Sequence, residues 1–221
     1  MILSVVIPTL NSSALLGRTI ESMRGADEIV VVDGGSVDNT PDLARSLGAA
    51  VVSSPRGRGI QLARGAAAAR GDWLLFLHAD TELAPAWRHT VADFTNRLGD
   101  GLTAGYFRFT LRSTQPQARL LEHAVAWRSR ALGLPYGDQG LLMSRHLYED
   151  VGGYRALPLM EDVDMIRRLG KSRLAEIPVE AVTDAVRWER QGWLRRSARN
   201  LLCLSLYYAG LPPQLIQRIY G

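Results

Sequence analysis

Three stretches of the chain set carboxylates where they could act on a phosphorylated substrate. In WLLFLHADTEL (73–83) an apolar run from Trp73 to Leu77 breaks into His78, Ala79, Asp80, Thr81 and Glu82. A hard divalent ion bridging diphosphate oxygens keeps waters and needs few protein ligands, so one carboxylate, Asp80, suffices for a Mg2+ or Mn2+ site. His78, two residues earlier in an extended segment, faces the same side. The competing reading is a plain turn, because an aspartate after a strand is a common turn former and Pro85 announces a helix start.

The second stretch is VVVDGGSVDNT (30–40), where a strand ends in Asp33 and Gly34 and Gly35 permit backbone geometry closed to other residues. Asp33 could accept hydrogen bonds from a base or a ribose; equally, the segment is a tight turn in which Asp38 or Thr40 caps the next helix. The third stretch opens the helical pattern EDVDMIRRL (161–169) with Glu161, Asp162 and Asp164. Negative charge there offsets the helix dipole. An ionised Asp162 at a helix mouth could also take the proton of an attacking hydroxyl as general base. Arg56 and Arg58 in PRGRGI (55–60) precede another helix and could cradle a diphosphate, although taken alone the stretch reads more readily as a solvated arginine loop. Leu62 stands where a dinucleotide fingerprint needs its third glycine, and Lys171, the only lysine, lies in no phosphate-loop motif. Arg187 and Trp188 in VRWERQGWLRR (186–196) add a guanidinium and a platform for an apolar sugar face, although a tryptophan taken alone is more often core.

The elements that must position these residues alternate in the first half of the chain. Strand patterns at 2–8, 28–33, 49–54 and 73–78 are separated by helical patterns from Asn11 or Ser12 to about Arg24, from Pro41, and at 60–70. That alternation predicts an α/β fold with a mostly parallel central sheet flanked by helices. Further on, helices are expected at 85–98, 117–132 and 161–169 and strands at 103–111 and 140–144, with a helical tail from about Gln191 to Pro212. Ligands in open α/β sheets bind beyond the carboxyl ends of the strands, which lines up Asn11, Asp33 and Asp80 on one cleft with Asp162.

With 26 basic against 22 acidic residues, the formal charge of +4 is a modest excess spread along the chain. No basic run interleaved with aromatics occurs, so nucleic acid is not an expected partner. The single cysteine, Cys203, excludes an internal disulfide and fits a reducing compartment. The start MILSVVIPTL reads as a strand rather than a leader, and LLCLSLYYAGL (201–211) is too short to span a bilayer. A cytoplasmic protein is expected, with membrane contact limited to a peripheral one through the tail, where Arg195, Arg196 and Arg199 flank an apolar helix. Packing of that tail on its own domain or on a second subunit of a homo-oligomer is the alternative.

In order, SVVIPTLN, VVVDGGSVDNT, LLFLHADT and GGYRALPLMEDVDMIRRL resemble the successive motifs of family 2 glycosyltransferases with the GT-A fold, over about residues 3–170. HADT, YGDQG, PLMEDVD and RWERQGW are most similar to the rSAM/selenodomain-associated transferase 2 subgroup. The resemblance implies inverting transfer of a sugar from a nucleotide-diphosphate sugar to a small-molecule or lipid-linked hydroxyl acceptor, assisted by Mn2+ or Mg2+. It implies a nucleotide-contacting loop at Pro8, Thr9 and Asn11, a base-reading Asp33 beside Gly34, a metal ligand at Asp80, and a catalytic pair of Glu161 and the base Asp162. His78 stands where many members carry a first aspartate. Arg56, Arg58 and His78 are expected on the donor side; Asp138, Gln139, Arg187 and Trp188 are candidates for the acceptor or the diphosphate. A GT-A domain over 1–190 and a helical tail over 191–221 are expected. Two rival functions are a catalytically silent nucleotide-sugar binding module and a nucleotidyltransferase.

Overall fold

The computed structural model describes residues 1–98 and 101–220, so the last residue of the expected tail, 221, lies outside the described residues. The β-branched and apolar runs form β1 (Leu3–Thr9), β2 (Glu28–Asp33), β3 (Ala50–Ser53), β4 (Trp73–Phe76), β5 (Thr81–Leu83), β6 (Ala104–Arg112), β7 (Leu141–Ser144) and β8 (Leu174–Asp184). The helices are α1 (Ser13–Ser22), α2 (Thr40–Ser46), α3 (Arg58–Ala68), α4 (Trp87–Leu98), α5 (Pro116–Leu132), α6 (Arg145–Asp150), α7 (Glu161–Leu169), α8 (Val186–Gln191), α9 (Trp193–Tyr208) and α10 (Pro213–Tyr220). All strands join one sheet in the order β3-β2-β1-β4-β7-β6-β8-β5.

The α/β expectation holds. β1 to β4 are parallel neighbours, and only β7 and β5 run against the other strands. Period-two alternation in β1 sends Val5 and Ile7 to one face, against Leu16, Ile20 and Trp87. Val6 goes to the other face, with Val32, Leu62, Ala66 and Met165. Both faces are covered, which is why these strands read as continuous apolar runs.

Register sets the rim. Thr9 pairs with Asp33 and Asp33 with Ser53, so β1, β2 and β3 end level. β4 stops earlier than the expected 78: Phe76 lies opposite Val6, and residues 77–80 turn across the end of the sheet. Because β7 is antiparallel, its first residue, Leu141, faces Phe76. The loop before β7 therefore reaches the same rim as the ends of the parallel strands.

Two strands were not expected from the pattern. β8 contains Pro178, which cannot donate to a ladder and demotes a strand reading; here the β6–β8 register slips between Phe107/Ile177 and Arg108/Glu180, and the proline sits in that bulge. β5 is a three-residue strand next to β8 that follows the HAD turn. The tail also differs from its expected end: the chain breaks near Gly210 and resumes as α10 after Pro212. Cys203 of α9 and Ile216 of α10 are buried against Leu159, Met160 and Val163 at the start of α7. No helix among the described residues is long and apolar enough to cross a membrane.

Helix α3 lies so close to the sheet that a methyl group at Gly65 would stand 2.3 Å from Val6 Cγ1 and 2.8 Å from Val32 Cγ2. Gly→Ala in a helix interior normally stabilises by about 1 kcal/mol. Here overpacking reverses the sign, and Gly65→Ala is expected to cost about 1–3 kcal/mol in urea unfolding; a variant as stable as the parent would show that α3 can lift off the sheet.

Candidate active site

A cavity of about 310 Å³ opens at the sheet rim and gathers residues from distant parts of the chain. Arg58 comes from the start of α3, His78 and Asp80 from the turn after β4, Asp138 from the loop before β7, and Asp162 from the start of α7. The C-terminal helices close the other side with Arg187, Trp188, Arg196 and Leu204.

Asp162 is fixed by backbone donors. Its Oδ2 accepts from Gly137 N–H at 3.0 Å and its Oδ1 from Val163 N–H at 2.8 Å, which leaves lone pairs on both oxygens for a ligand. Gly137 has no room for a side chain, since a Cβ would stand 2.6 Å from His78 Nε2 and 3.2 Å from Asp162 Oδ2. One glycine thus lets the imidazole and the carboxylate share a corner of the cavity. Burial first, then the nearby Arg58 cation, pushes the His78 pKa down, so the ring is neutral at pH 7. Asp80 is half-buried and its carboxylate has no hydrogen bond or salt bridge among the described residues.

Next to Asp162, Glu161 is wholly buried at its side chain, and its carboxylate lies 2.8 Å from Arg58 Nε. The angle is poor, because neither carboxylate oxygen satisfies a hydrogen bond. The two partners shift alike for different reasons. Glu161 holds Arg58 protonated, raising its pKa, whereas burial outweighs Arg58 at Glu161 and pushes that carboxyl to about 7. The desolvation falls on the carboxylate because the Arg58 side chain remains 37% exposed. Before this pair stands Met160, whose φ of 64° is left-handed, a costly conformation for a side chain of that size.

The loops at the ends of β1 and β2 form a separate hydrogen-bonded group, outside the lining of the cavity. Asp33 Oδ2 accepts from Gly35 N–H at 3.0 Å and Ser36 N–H at 2.9 Å; its Oδ1 accepts from Ser36 Oγ and, at 3.3 Å, from Thr9 Oγ1. The tight-turn geometry is therefore what the structure displays. Asn11, at φ 50°, accepts from Val37 N–H at 2.9 Å and donates its own N–H to Ser36 Oγ at 2.8 Å. Asp38 binds Thr40 and Ser13, and these bonds, led by that of the Thr40 hydroxyl, lower its pKa to about 2. Pro8 is buried in β1, and Gly34 packs against the Gln61 amide, which donates to Thr9 and Val32 carbonyls at 2.8 Å each.

The expected single cleft is thus only partly met: Pro8, Thr9, Asn11, Asp33 and Gly34 form the separate rim group and Glu161 lies behind the lining, and two further expected residues, Arg56 and Gln139, are not brought to the cavity either. Arg56 is exposed and outside its lining, because the chain enters α3 only at Arg58. Gln139 is buried in the scaffold, accepting from Ser129 Oγ at 2.8 Å and donating to the Phe107 carbonyl at 3.0 Å. Its neighbour Asp138 does line the cavity, with Oδ1 unpartnered and its pKa raised by burial. Trp188 is half-buried, stacks on Trp193 at 5.9 Å between ring centroids and lines the cavity. Arg128, Tyr136, Asp184 and Arg196 also line it. Arg128 and Arg196 lie in helices, Asp184 ends β8 and Tyr136 opens the YGDQG stretch, and their place in the fold is what marks them as lining residues.

Residues 4–152 match the family described as Glycosyl transferase family 2. A PGL/p-HBAD biosynthesis glycosyltransferase of Mycobacterium bovis (strain BCG / Pasteur 1173P2) is 39% identical over 94 residues, covering 38% of this chain and 37% of that protein. Glucosyl-3-phosphoglycerate synthase of Mycolicibacterium paratuberculosis is 36% identical over 92 residues, 35% of this chain and 28% of that one. The alignments thus span little more than a third of the first of these curated relatives and less than a third of the second. Among solved structures, glucosyl-3-phosphoglycerate synthase from Mycobacterium tuberculosis, in complex with Mn2+, UDP and glucosyl-3-phosphoglycerate, superposes with a TM-score of 0.61 at 26% identity over 95% of this chain and 80% of that chain. A family match across most of the chain, on a GT-A architecture, carries the assignment: this protein belongs to glycosyl transferase family 2.

Proposed function

We propose that the chain transfers a sugar from a nucleoside-diphosphate sugar to a hydroxyl acceptor, with inversion at the anomeric carbon and with Asp162 as general base. One observation carries this reading: Asp162, Asp80 and Arg58 face one cavity although they lie far apart in the sequence. The M. tuberculosis synthase has been crystallised with Mn2+ and UDP-glucose, which supports the same class of donor and metal here.

Asp80 fits a divalent ion. Its carboxylate is free, and no cluster of three or more His, Cys, Asp or Glu side chains suited to a metal occurs among the described residues, so the other ligands would come from diphosphate and water. His78, neutral beside it, is a second candidate ligand. When bound, Mn2+ or Mg2+ supplies positive charge against the diphosphate oxygens. Arg58 adds a guanidinium on the same side, and its ion pair with Glu161 keeps it there. As the acceptor oxygen bonds to the anomeric carbon, its proton passes to Asp162, and the bond from that carbon to the diphosphate oxygen breaks on the opposite face. The two backbone N–H donors hold Asp162 in the orientation that receives the proton.

The nucleoside falls to the rim loops of Pro8, Thr9, Asn11, Asp33 and Gly34. Four protein donors fill the Asp33 carboxylate. A base N–H would therefore have to displace one, the 3.3 Å Thr9 hydroxyl being the weakest. The catalytic domain extends over 1–190, with the tail acting as a cover that completes the cavity. A silent binding module is the rival reading, and release of nucleoside diphosphate above background from a panel of UDP- and GDP-sugars removes it.

Peripheral contact with an anionic membrane is a further part of this reading. Leu194 and Leu201 of α9 are 86% and 64% exposed, Trp127 and Leu120 of α5 are exposed, and Arg195 is exposed beside Leu194. The chain should pellet with phosphatidylglycerol vesicles and less so as Leu194→Glu; absence of pelleting by the parent chain removes the contact, and a sedimentation coefficient of a dimer would assign the surface to self-association.

Asp162→Asn should lower kcat by about 10²–10⁴-fold while keeping nucleotide affinity, and the parent's product should carry the anomeric configuration opposite to the donor's; full turnover by the variant, or retained configuration, defeats the assignment. Glu161 has its folded pKa raised from 4.5 to about 7. A carboxyl raised in this way contributes stability that is present below pH 4.5 and lost as pH rises through 7. Relative to Glu161→Gln, the parent should lose roughly 3 kcal/mol between those limits in urea unfolding and nothing further above them; a pH-independent difference would mean that Arg58 keeps Glu161 ionised.

A further inference from the structure

The part of the cavity enclosed by α5 and α9 combines unsatisfied cations with an apolar wall. Arg196 of α9 is 8% exposed. Its Nη1 donates to Gln191 Oε1 at 2.9 Å and its guanidinium carbon lies 5.0 Å from the Trp188 ring centroid, yet its Nε–H has no partner. Arg128 of α5, in the same lining, donates Nε–H to the Leu134 carbonyl at 2.9 Å and sits 4.2 Å over the Tyr136 ring, with a buried Nη2 that also has no partner. Neither arginine has a salt bridge among the described residues. Arg187 brings a third guanidinium to the lining, and it and Arg199 act on Arg196 as like charges. Buried cations with unmet donors are costly unless an anion completes them.

The same lining supplies Phe109, Val125, Leu201 and Leu204, apolar side chains with no use for a bare anion. Leu201 both lines the cavity and is exposed, so the apolar wall runs out to the surface at that point. We infer that this side of the cavity is the acceptor subsite, and that it takes an acceptor in which a phosphate or carboxylate, held by Arg196 and Arg128, is joined to an apolar portion lying along Phe109, Val125 and Leu204. The acceptor hydroxyl then faces Asp162 in the same cavity. The inference rests on the transferase reading and adds to it the chemical class of the acceptor.

Hexyl phosphate, hexanol and inorganic phosphate are the probes, with binding followed by calorimetry and thermal shift on the full chain, with and without saturating UDP and Mn2+. The intact protein should bind hexyl phosphate about ten-fold or more tightly than either fragment, and in the presence of UDP and Mn2+ as well as without them. Arg196→Gln and Arg128→Gln should each weaken hexyl phosphate by a similar factor, with Arg196→Lys intermediate; Arg128→Gln keeps the test open should the more buried Arg196 position not tolerate glutamine. Loss of hexyl phosphate binding when UDP and Mn2+ saturate would place the anion where the donor's diphosphate belongs and overturn the acceptor assignment. So would a parallel fall of UDP and hexyl phosphate affinity in both variants. A parent chain that binds UDP or GDP but not hexyl phosphate overturns this inference alone, whereas one that takes hexyl phosphate and neither nucleotide overturns it together with the transferase reading.

Discussion

The first turn of α3 has to touch the backbone ahead of α7, and the arrangement of the cavity follows from that contact. A Cβ on Gly59 would lie 2.2 Å from the Arg155 carbonyl oxygen and 2.8 Å from the Leu157 nitrogen, so only glycine admits the approach. Gly59 N–H donates to the Leu157 carbonyl at 3.3 Å, and the residue before it, Arg58, is carried to Glu161. This joins the half of the molecule built on the parallel strands to the half that carries Asp162. Glu161 is the buried partner; Arg58 is what draws its carboxyl toward the charged form against the burial that favours the protonated one. The pair is better understood as a positioning device than as a source of stability.

Strain gathers at the same junction. Among the described residues only Asn11 and Met160 have positive φ without being glycine. Asparagine adopts that conformation readily, while a methionine there costs roughly 1–2 kcal/mol. Met160 is held by its neighbours: it packs with Leu159, Val163, Cys203 and Ile216, so the C-terminal helices secure the residue that turns the chain into α7. The turn is what directs Glu161 toward α3 and Asp162 toward the cavity.

The parts of this arrangement legible in the sequence were those with local signatures. β-branched runs ending in Asp33 and in the HAD turn exposed the parallel strands and their rim, and the acidic start of 161–169 exposed α7. β8 stayed hidden because Pro178 argues against a strand until the partner is known to bulge around it. Gln139 misled because a polar residue in a glycine-bounded loop looks available, whereas its amide is consumed by Ser129 and Phe107. Arg56 and Arg58 were indistinguishable in PRGRGI; which of them reaches the cavity depends on where α3 begins, and that is fixed by Gly59 against Leu157. Arg128 and Arg196 lie on helical surfaces like any solvated arginine, and only tertiary packing turns them inward.

Charge balance connects the two ends of the cavity. Asp80, Asp138, Asp162 and Asp184 face Arg58, Arg128, Arg187 and Arg196, so by count the lining is neutral, with His78 uncharged. The balance is not even in space. Burial raises the pKa of Asp138 against the pull of Arg128, which weakens the hold of that carboxyl on its negative charge. Arg58 is paired with Glu161 and Asp80 is free, which leaves the proposed donor site with capacity for a cation. On the side of α5 and α9, Arg128 and Arg196 have no salt bridge among the described residues and each keeps a donor without a partner. On the proposed reading, the metal and diphosphate belong with Asp80 and Arg58, the anionic acceptor belongs with Arg128 and Arg196, and Asp162, lining the same cavity, takes the proton.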